Sequence, residues 1–182
     1  MFKCQINEID GVKIIETIAA TDSRGTFSKF YPNKEFVSSL GSVAISLNPI
    51  PGTIRGLHFQ IEPFAEEKIV TCIQGSILDV IVDLRPGSTT QGKWASIELN
   101  SIHPSQLYLP KGVAHGFQSI EPDSIIHYCL STAFSPESSF SINPLSDLDI
   151  DWPIKKFLIS DKDSSGISIS QAMQKYAASL GN

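Results

Sequence analysis

The sequence predicts an all-β fold, a sandwich or a barrel, and three observations carry that prediction. Short segments rich in Val, Ile, Leu and Thr recur along the chain, separated by Gly, Pro, Asn and Ser turn signals. The clearest of them runs from Ser76 to Leu84 and alternates: Leu78, Val80, Val82 and Leu84 share one face, and Asp79, Ile81 and Asp83 the other. No repeat, low-complexity tract or Pro/Ser linker divides the 182 residues, enough for one domain with a real core and short for two.

In chain order, Asn33 caps a short predicted helix through Leu40, which Gly41 stops. Strands are predicted over 44–48, 54–60, 68–73, 76–84, 93–99, 106–109 and 125–133. Gln74-Gly75 is placed to turn a hairpin between the third and fourth of these, and Arg85-Pro86-Gly87-Ser88 ends the fourth. The barrel core thus spans about 43–135, within a single domain of 1–182. In the remaining segment, 136–182, Ala172, Met173, Tyr176, Ala177 and Leu180 recur at helical spacing and predict a terminal amphipathic helix that packs on the core.

With 19 acidic and 14 basic residues, the formal charge is −5, which argues against a nucleic-acid binder. A few cations such as Arg24, Arg55 and Lys68 still suffice to focus a positive field on a small anionic ligand. No window is long and apolar enough to span a bilayer, and the N-terminus lacks the basic start and apolar run of a secretory signal. Cys4, Cys72 and Cys129 form no C-x-x-C pair, so reduced thiols and a cytoplasmic location are expected.

Arg55-Gly56-Leu57-His58-Phe59-Gln60, with Lys68 and Gly75 beyond it, is similar in spacing to the first motif of the cupin β-barrels. A metal-binding cupin has H-x-H, a carboxylate, and a glycine seven residues later. Here Gln60 holds the second histidine position and Lys68 the carboxylate position. The second motif, P-x-G-x-x-H, is present as Pro110-Lys111-Gly112-Val113-Ala114-His115. An ammonium has no lone pair for a divalent ion, so no metal is expected and the pocket suits acid–base chemistry. By alternation, Gly56, His58 and Gln60 point to one side of their strand, as do Lys68, Val70 and Cys72, and Ile126, Tyr128 and Leu130, on theirs. If those sides face inward, a histidine, a lysine and a tyrosine meet in one barrel mouth. Arg55 falls on the opposite side from His58 unless Gly56 permits a bulge or the side chain reaches the site from its rim. Lys68 pairing with Glu66 or Glu67 at the surface is the competing reading. His103 and His127 are read as ordinary core or surface side chains.

Asp22-Ser23-Arg24-Gly25-Thr26-Phe27, the run from Gly52 to Gln60, Glu67-Lys68-Ile69-Val70, Gly75 to Arg85, Gly112 to Phe117, Ile150-Asp151-Trp152-Pro153 and Ile159-Ser160-Asp161-Lys162-Asp163 follow one another in order. In these stretches the chain resembles the dTDP-4-dehydrorhamnose 3,5-epimerase family over nearly its whole length. The resemblance implies a double-stranded β-helix (jelly-roll, cupin-like) with short flanking helices, a homodimer, and no metal or organic cofactor. It also implies a nucleotide-sugar substrate, a 4-keto-6-deoxyhexose such as dTDP-4-dehydro-6-deoxyglucose. On the matching positions, His58 is the general base, Asp163 its carboxylate partner, Tyr128 the general acid and Lys68 the cation at the C4 oxygen. Arg24, Arg55 and His115 line the diphosphate and sugar, and Phe27 is an aromatic near the base. Lys29, Asn48, Gln60 and Phe134 complete the implied substrate-binding set.

The chain departs from the family where Lys29 replaces a frequent Glu and Ala133-Phe134 a frequent Tyr-Tyr, and 48–52 is short. A 3-only or 5-only epimerase, a metal-dependent cupin with His58 and His115 as ligands, and a non-catalytic sugar-binding module are the rival readings.

Overall fold

The structure is a computed structural model and describes residues 9–30, 41–146 and 148–181. The predicted helix over 33–40 and Cys4 lie outside the described residues. The strands are β1 (Lys13–Glu16), β2 (Ile18–Asp22), β3 (Gly25–Lys29), β4 (Ser42–Asn48), β5 (Ile54–Gln60), β6 (Lys68–Gln74), β7 (Ser76–Asp83), β8 (Trp94–Asn100), β9 (Ser105–Leu109), β10 (Val113–Ser119), β11 (Ser124–Leu130) and β12 (Ser139–Ser141). Two helices close the chain, α1 (Asp161–Ser164) and α2 (Ile169–Ser179). Among the described residues no helix is long and apolar enough to cross a membrane.

The strands form two five-stranded antiparallel sheets, ordered β1-β9-β6-β11-β4 and β12-β5-β10-β7-β8, and β2 with β3 makes a separate hairpin. The inner faces of the two sheets meet in one core, with Val70, Cys72, Leu107 and Ile126 from the first against Ile77, Ile81, Ile97 and Phe117 from the second. This is the predicted double-stranded β-helix. The outer face of the second sheet is covered as well. There Leu78, Val80, Val82 and Leu84 pack under Ile142, Leu148, Trp152, Ala172 and Tyr176 of the C-terminal segment. Every residue of β7 is therefore buried, which explains its near-continuous apolar run.

The hairpin predicted at Gln74-Gly75 does not form. β6 pairs with β9 and β11, whereas β7 pairs with β10 and β8. Each strand is interior to its own sheet and already has two partners, so the turn between them carries the chain from one sheet to the other. Gly75 makes that corner at φ 73°, where a Cβ would meet the Ser124 hydroxyl at 2.5 Å. Pattern reading also missed β10, because Ala114, His115, Gly116 and Gln118 dilute its apolar signal, although the strand is buried throughout.

Helix α2 starts with a capping box in which the Ser168 side chain accepts from the Gln171 amide and Gln171 accepts in return. Ala172 and Tyr176 are buried as predicted and Met173 packs beside them. Ala177 and Leu180 instead face outward, because Ser179 takes the inward position and its hydroxyl receives the Glu62 amide.

Where β7 ends, Asp83 is fully buried and accepts from the backbone and guanidinium of Arg85 and from the Ser88 and Thr90 hydroxyls. Burial alone would raise its pKa, but these donors outweigh it and hold the carboxyl at about 2 instead of 3.8. A group depressed in this way stabilises the fold above its unfolded pKa and stops doing so as pH falls through its folded one. Asp83→Asn is expected to cost on the order of 2 kcal/mol at neutral pH. In urea titrations against wild type, the difference should shrink as pH falls from 3.8 toward about 2.

Candidate active site

Between the sheets, at the end not filled by aliphatic side chains, lies a cavity of about 470 Å³ lined by Arg55, His58, Lys68, His115, Tyr128 and Phe134 among others. Strand β5 supplies the first two through an irregular register. His58 pairs with His115 and Arg55 with Phe117, so β5 advances three residues while β10 advances two. The extra residue is a β-bulge that turns Arg55 to the same side as His58. Gly56 permits it. Its φ is 108°, and a Cβ there would lie 2.7 Å from both Gly116 Cα and the His115 carbonyl oxygen.

His58 is 40% exposed along its side chain, open to the cavity, and its Nε2 sits 2.7 Å from Asp163 Oδ1. Asp163 also accepts from the Gly56 amide (3.2 Å) and the Ser141 hydroxyl (2.9 Å). It is delivered by α1, whose cap Ser160 receives the Asp163 amide. Burial works against its charge, but His58, Gly56 and Ser141 prevail and bring the carboxyl to about 2. An ionised carboxylate only accepts, so His58 carries its proton on Nε2 and presents Nδ1 as the free base.

Lys68 and Glu66 form an ion pair of 3.2 Å whose side chains are only 8% and 10% exposed. Lys68 Nζ also donates to the His58 carbonyl at 3.3 Å. The two sequence readings of Lys68 therefore both hold in part: it pairs with Glu66, but inside the cavity. Gln60 lines the cavity too, with both ends of its amide bonded to the protein. Its Nε2 faces the Phe64 carbonyl (3.0 Å), Glu66 Oε2 (3.2 Å) and the Ala133 carbonyl (3.3 Å), and its Oε1 accepts from the Ser135 amide (2.7 Å).

On the neighbouring strand β10, beside His58, His115 Nε2 lies 2.7 Å from Asp79 Oδ2, and the Tyr128 ring of the facing sheet meets His115 edge-on at 6.1 Å. Asp79 is wholly buried, its Oδ1 has no hydrogen-bond partner, and burial raises its pKa despite His115. Burial, with Asp79 nearby, likewise drives the Tyr128 hydroxyl well above the usual tyrosine value, so it holds its proton at neutral pH. His58 and Tyr128 belong to opposite sheets. A base on one wall, an acid on the other and an ammonium between them can remove a proton beside a carbonyl and return one to the opposite face.

Four sequence-predicted site residues are not on this wall. Asn48 is 1% exposed and does not line the cavity; it accepts from Arg55 Nε at 2.7 Å and so orients that guanidinium. Arg24, Phe27 and Lys29 sit on or beside the separate β2–β3 hairpin, exposed, with Arg24 paired to Asp22. The hairpin joins neither large sheet, and none of the three residues lines the cavity. His103 and His127 do not line it either. Residue reading missed Glu66, Lys162 and Asp79 as parts of the site. The alternation in β7 did place Asp79 on the polar face that turned out to be the interior.

The model of the dTDP-4-dehydrorhamnose 3,5-epimerase family matches residues 7–171. A dTDP-4-dehydrorhamnose 3,5-epimerase of Sinorhizobium fredii is 39% identical over 169 residues, covering 88% of this chain and 86% of the relative. A dTDP-4-dehydrorhamnose 3-epimerase of Streptomyces niveus is 32% identical across 90% of this chain and 82% of its own. Among solved structures, the dTDP-6-deoxy-D-glucose-3,5-epimerase of Legionella pneumophila in complex with dTDP-4-keto-L-rhamnose is similar at a TM-score of 0.83 and 33% identity, with 90% of each chain covered.

Asp163→Asn should leave the fold intact and lower kcat by about 10²–10⁴-fold, because an amide no longer enforces the Nε2–H tautomer or balances an imidazolium. Steady-state kinetics alongside circular dichroism would check this. Near-normal kcat in a folded variant would remove Asp163 from the dyad.

Proposed function

The chain belongs to the dTDP-4-dehydrorhamnose 3,5-epimerase family, and on that premise we propose how its cavity inverts C3 and C5 of a nucleotide-linked 4-keto-6-deoxyhexose. The observation that carries the residue assignment is the His58–Asp163 pair facing Tyr128 across Lys68. Protons on C3 and C5 are acidic because both carbons flank the C4 ketone. His58 Nδ1 takes one, and Asp163 stabilises the imidazolium. The electron pair left on carbon moves to O4 as an enolate, which the Lys68 ammonium stabilises; such a donor is worth about 10²–10³-fold in rate. Tyr128 then gives its proton to the opposite face of the same carbon, the C4 ketone re-forms, and solvent restores the tyrosine and histidine. No step calls for a metal or organic cofactor, and the ammonium of Lys68 stands where a cupin ligand would.

Arg55 and His115 line the cavity beside these groups and suit the diphosphate and sugar, and Phe134, 64% exposed at the rim, suits a nucleobase. The working unit is a homodimer. Strand β4 is a sheet edge with Val43, Ile45 and Leu47 55%, 61% and 58% exposed, and Ile45 and Leu47 border the cavity. A second copy laid on this edge brings its own hairpin, with Arg24, Phe27 and Lys29, toward a site that lacks them. Cys72 and Cys129, free and buried, suit the reducing cytoplasm.

With dTDP-4-dehydro-6-deoxyglucose in D₂O, NMR should show deuterium entering at both C3 and C5. Entry at C3 alone would make this a mono-epimerase like the Streptomyces niveus relative in name, and entry at neither would overturn the reading. Sharing between subunits has its own test. Arg24→Ala and His58→Asn, each inactive alone, should regain activity on mixing, since each mixed dimer holds one site with both native residues. A mixture as inactive as its components would exclude the shared site.

A further inference from the structure

We infer that Glu66 is a further substrate-orienting residue, its carboxylate accepting a hydrogen bond from the C3 hydroxyl while Lys68 donates to the C4 oxygen. The inference rests on the epimerase reading above and names a specificity feature of that site. Glu66 lines the cavity, and its side chain is 10% exposed. Its Oε1 is 3.2 Å from Lys68 Nζ, and its Oε2 receives Gln60 Nε2 at 3.2 Å. Each oxygen has more than one lone-pair direction, so Oε1 retains capacity after meeting the ammonium. Lys68 gives one of its three donors to the His58 carbonyl and pairs by charge with Glu66, so it keeps a donor for O4.

The substrate class supplies the complement. On a 3-hydroxy-4-ketone the donor O3–H and the acceptor O4 are on adjacent carbons, within hydrogen-bond reach of each other. A carboxylate and an ammonium at hydrogen-bond separation present the inverse pair. With O4 on a free Lys68 proton, the 3.2 Å separation of Nζ and Oε1 matches the spacing of O4 and O3 and would let O3 donate to Glu66. A ring held only at its diphosphate and at O4 can rock about the line between them, and a third contact at O3 removes that motion and holds C–H bonds along His58 Nδ1. The pair is preorganised, because Gln60 ties Glu66 to the carbonyls of Phe64 and Ala133. A lysine needing only a counter-ion would be served equally by a carboxylate turned away from the cavity.

The experiment compares dTDP-4-dehydro-6-deoxyglucose with its 3-deoxy analogue, following exchange at C5, a position both substrates share, or at C3 if the enzyme exchanges only there. Wild type should favour the 3-hydroxy substrate by about 10- to 100-fold in kcat/KM, the range of a hydrogen bond to a charged group. Glu66→Gln should cut that preference by about tenfold, since a neutral acceptor remains. An equal fall on both substrates would make Glu66 merely structural and overturn the inference. If Glu66→Gln does not fold, the wild-type preference decides alone, and its absence overturns the inference. Exchange with neither substrate in wild type would instead bring down the epimerase reading itself.

Discussion

The site depends on the close passage of two backbones. Gly56 and Gly116 face each other across β5 and β10 with no room for a methyl group on either: a Cβ on Gly116 would lie 2.5 Å from the Arg55 carbonyl oxygen. That contact lets β5 carry its extra residue at the centre of a sheet, where bulges are otherwise costly to packing. Its consequences reach four of the side chains at the site. Arg55 and His58 come to one side, His115 stands opposite His58, and the Gly56 amide is left to donate to Asp163, on a helix more than a hundred residues away in sequence. A strictly alternating β5 would have kept the base and lost the guanidinium.

Two histidines in this cavity each face a buried carboxylate at 2.7 Å, yet the two pairs have different electrostatics. Asp163 gathers three donors, and its carboxyl is drawn down to about 2. Asp79 has His115 alone, one bare oxygen, and burial lifts it. Asp163, held well below the usual carboxylate range, is suited to stabilise an imidazolium on His58, whereas burial pushes the Asp79 carboxyl the other way. The raised Asp79 sits beside the tyrosine that must keep its proton and works in the same direction as burial there.

The fold was legible in the sequence wherever a strand had one polar and one apolar face or an unbroken apolar run. It was illegible in β10, whose glycine and histidine serve the site and blur the pattern. Gln74-Gly75 looked like a hairpin because local turn chemistry is the same for a hairpin and for a corner between sheets; which one forms is decided by partners far along the chain. Alternation put His58, Lys68 and Tyr128 each on a definite side of its strand and left open whether those sides face inward, and the resemblance added Asp163, which no spacing rule could bring to β5. Asn48 and the hairpin residues Arg24, Phe27 and Lys29 could not be placed the same way. Whether a residue touches a ligand, holds one that does, or serves a neighbouring copy is a property of the assembled surface.

Gln60 shows how the scaffold is used. It occupies a position where a cupin carries a metal ligand, and the resemblance made it a substrate contact. In the folded chain its oxygen holds the Ser135 amide and its nitrogen faces Phe64, Glu66 and Ala133. One amide thus joins the carboxylate beside Lys68 to the loop that presents Phe134. Its N–H groups are taken up by protein acceptors, while Glu66 and Phe134, which it helps to position, line the same cavity. The lysine and the glutamine at the two cupin ligand positions are therefore parts of one arrangement, an ammonium paired with Glu66 and an amide that fixes that carboxylate.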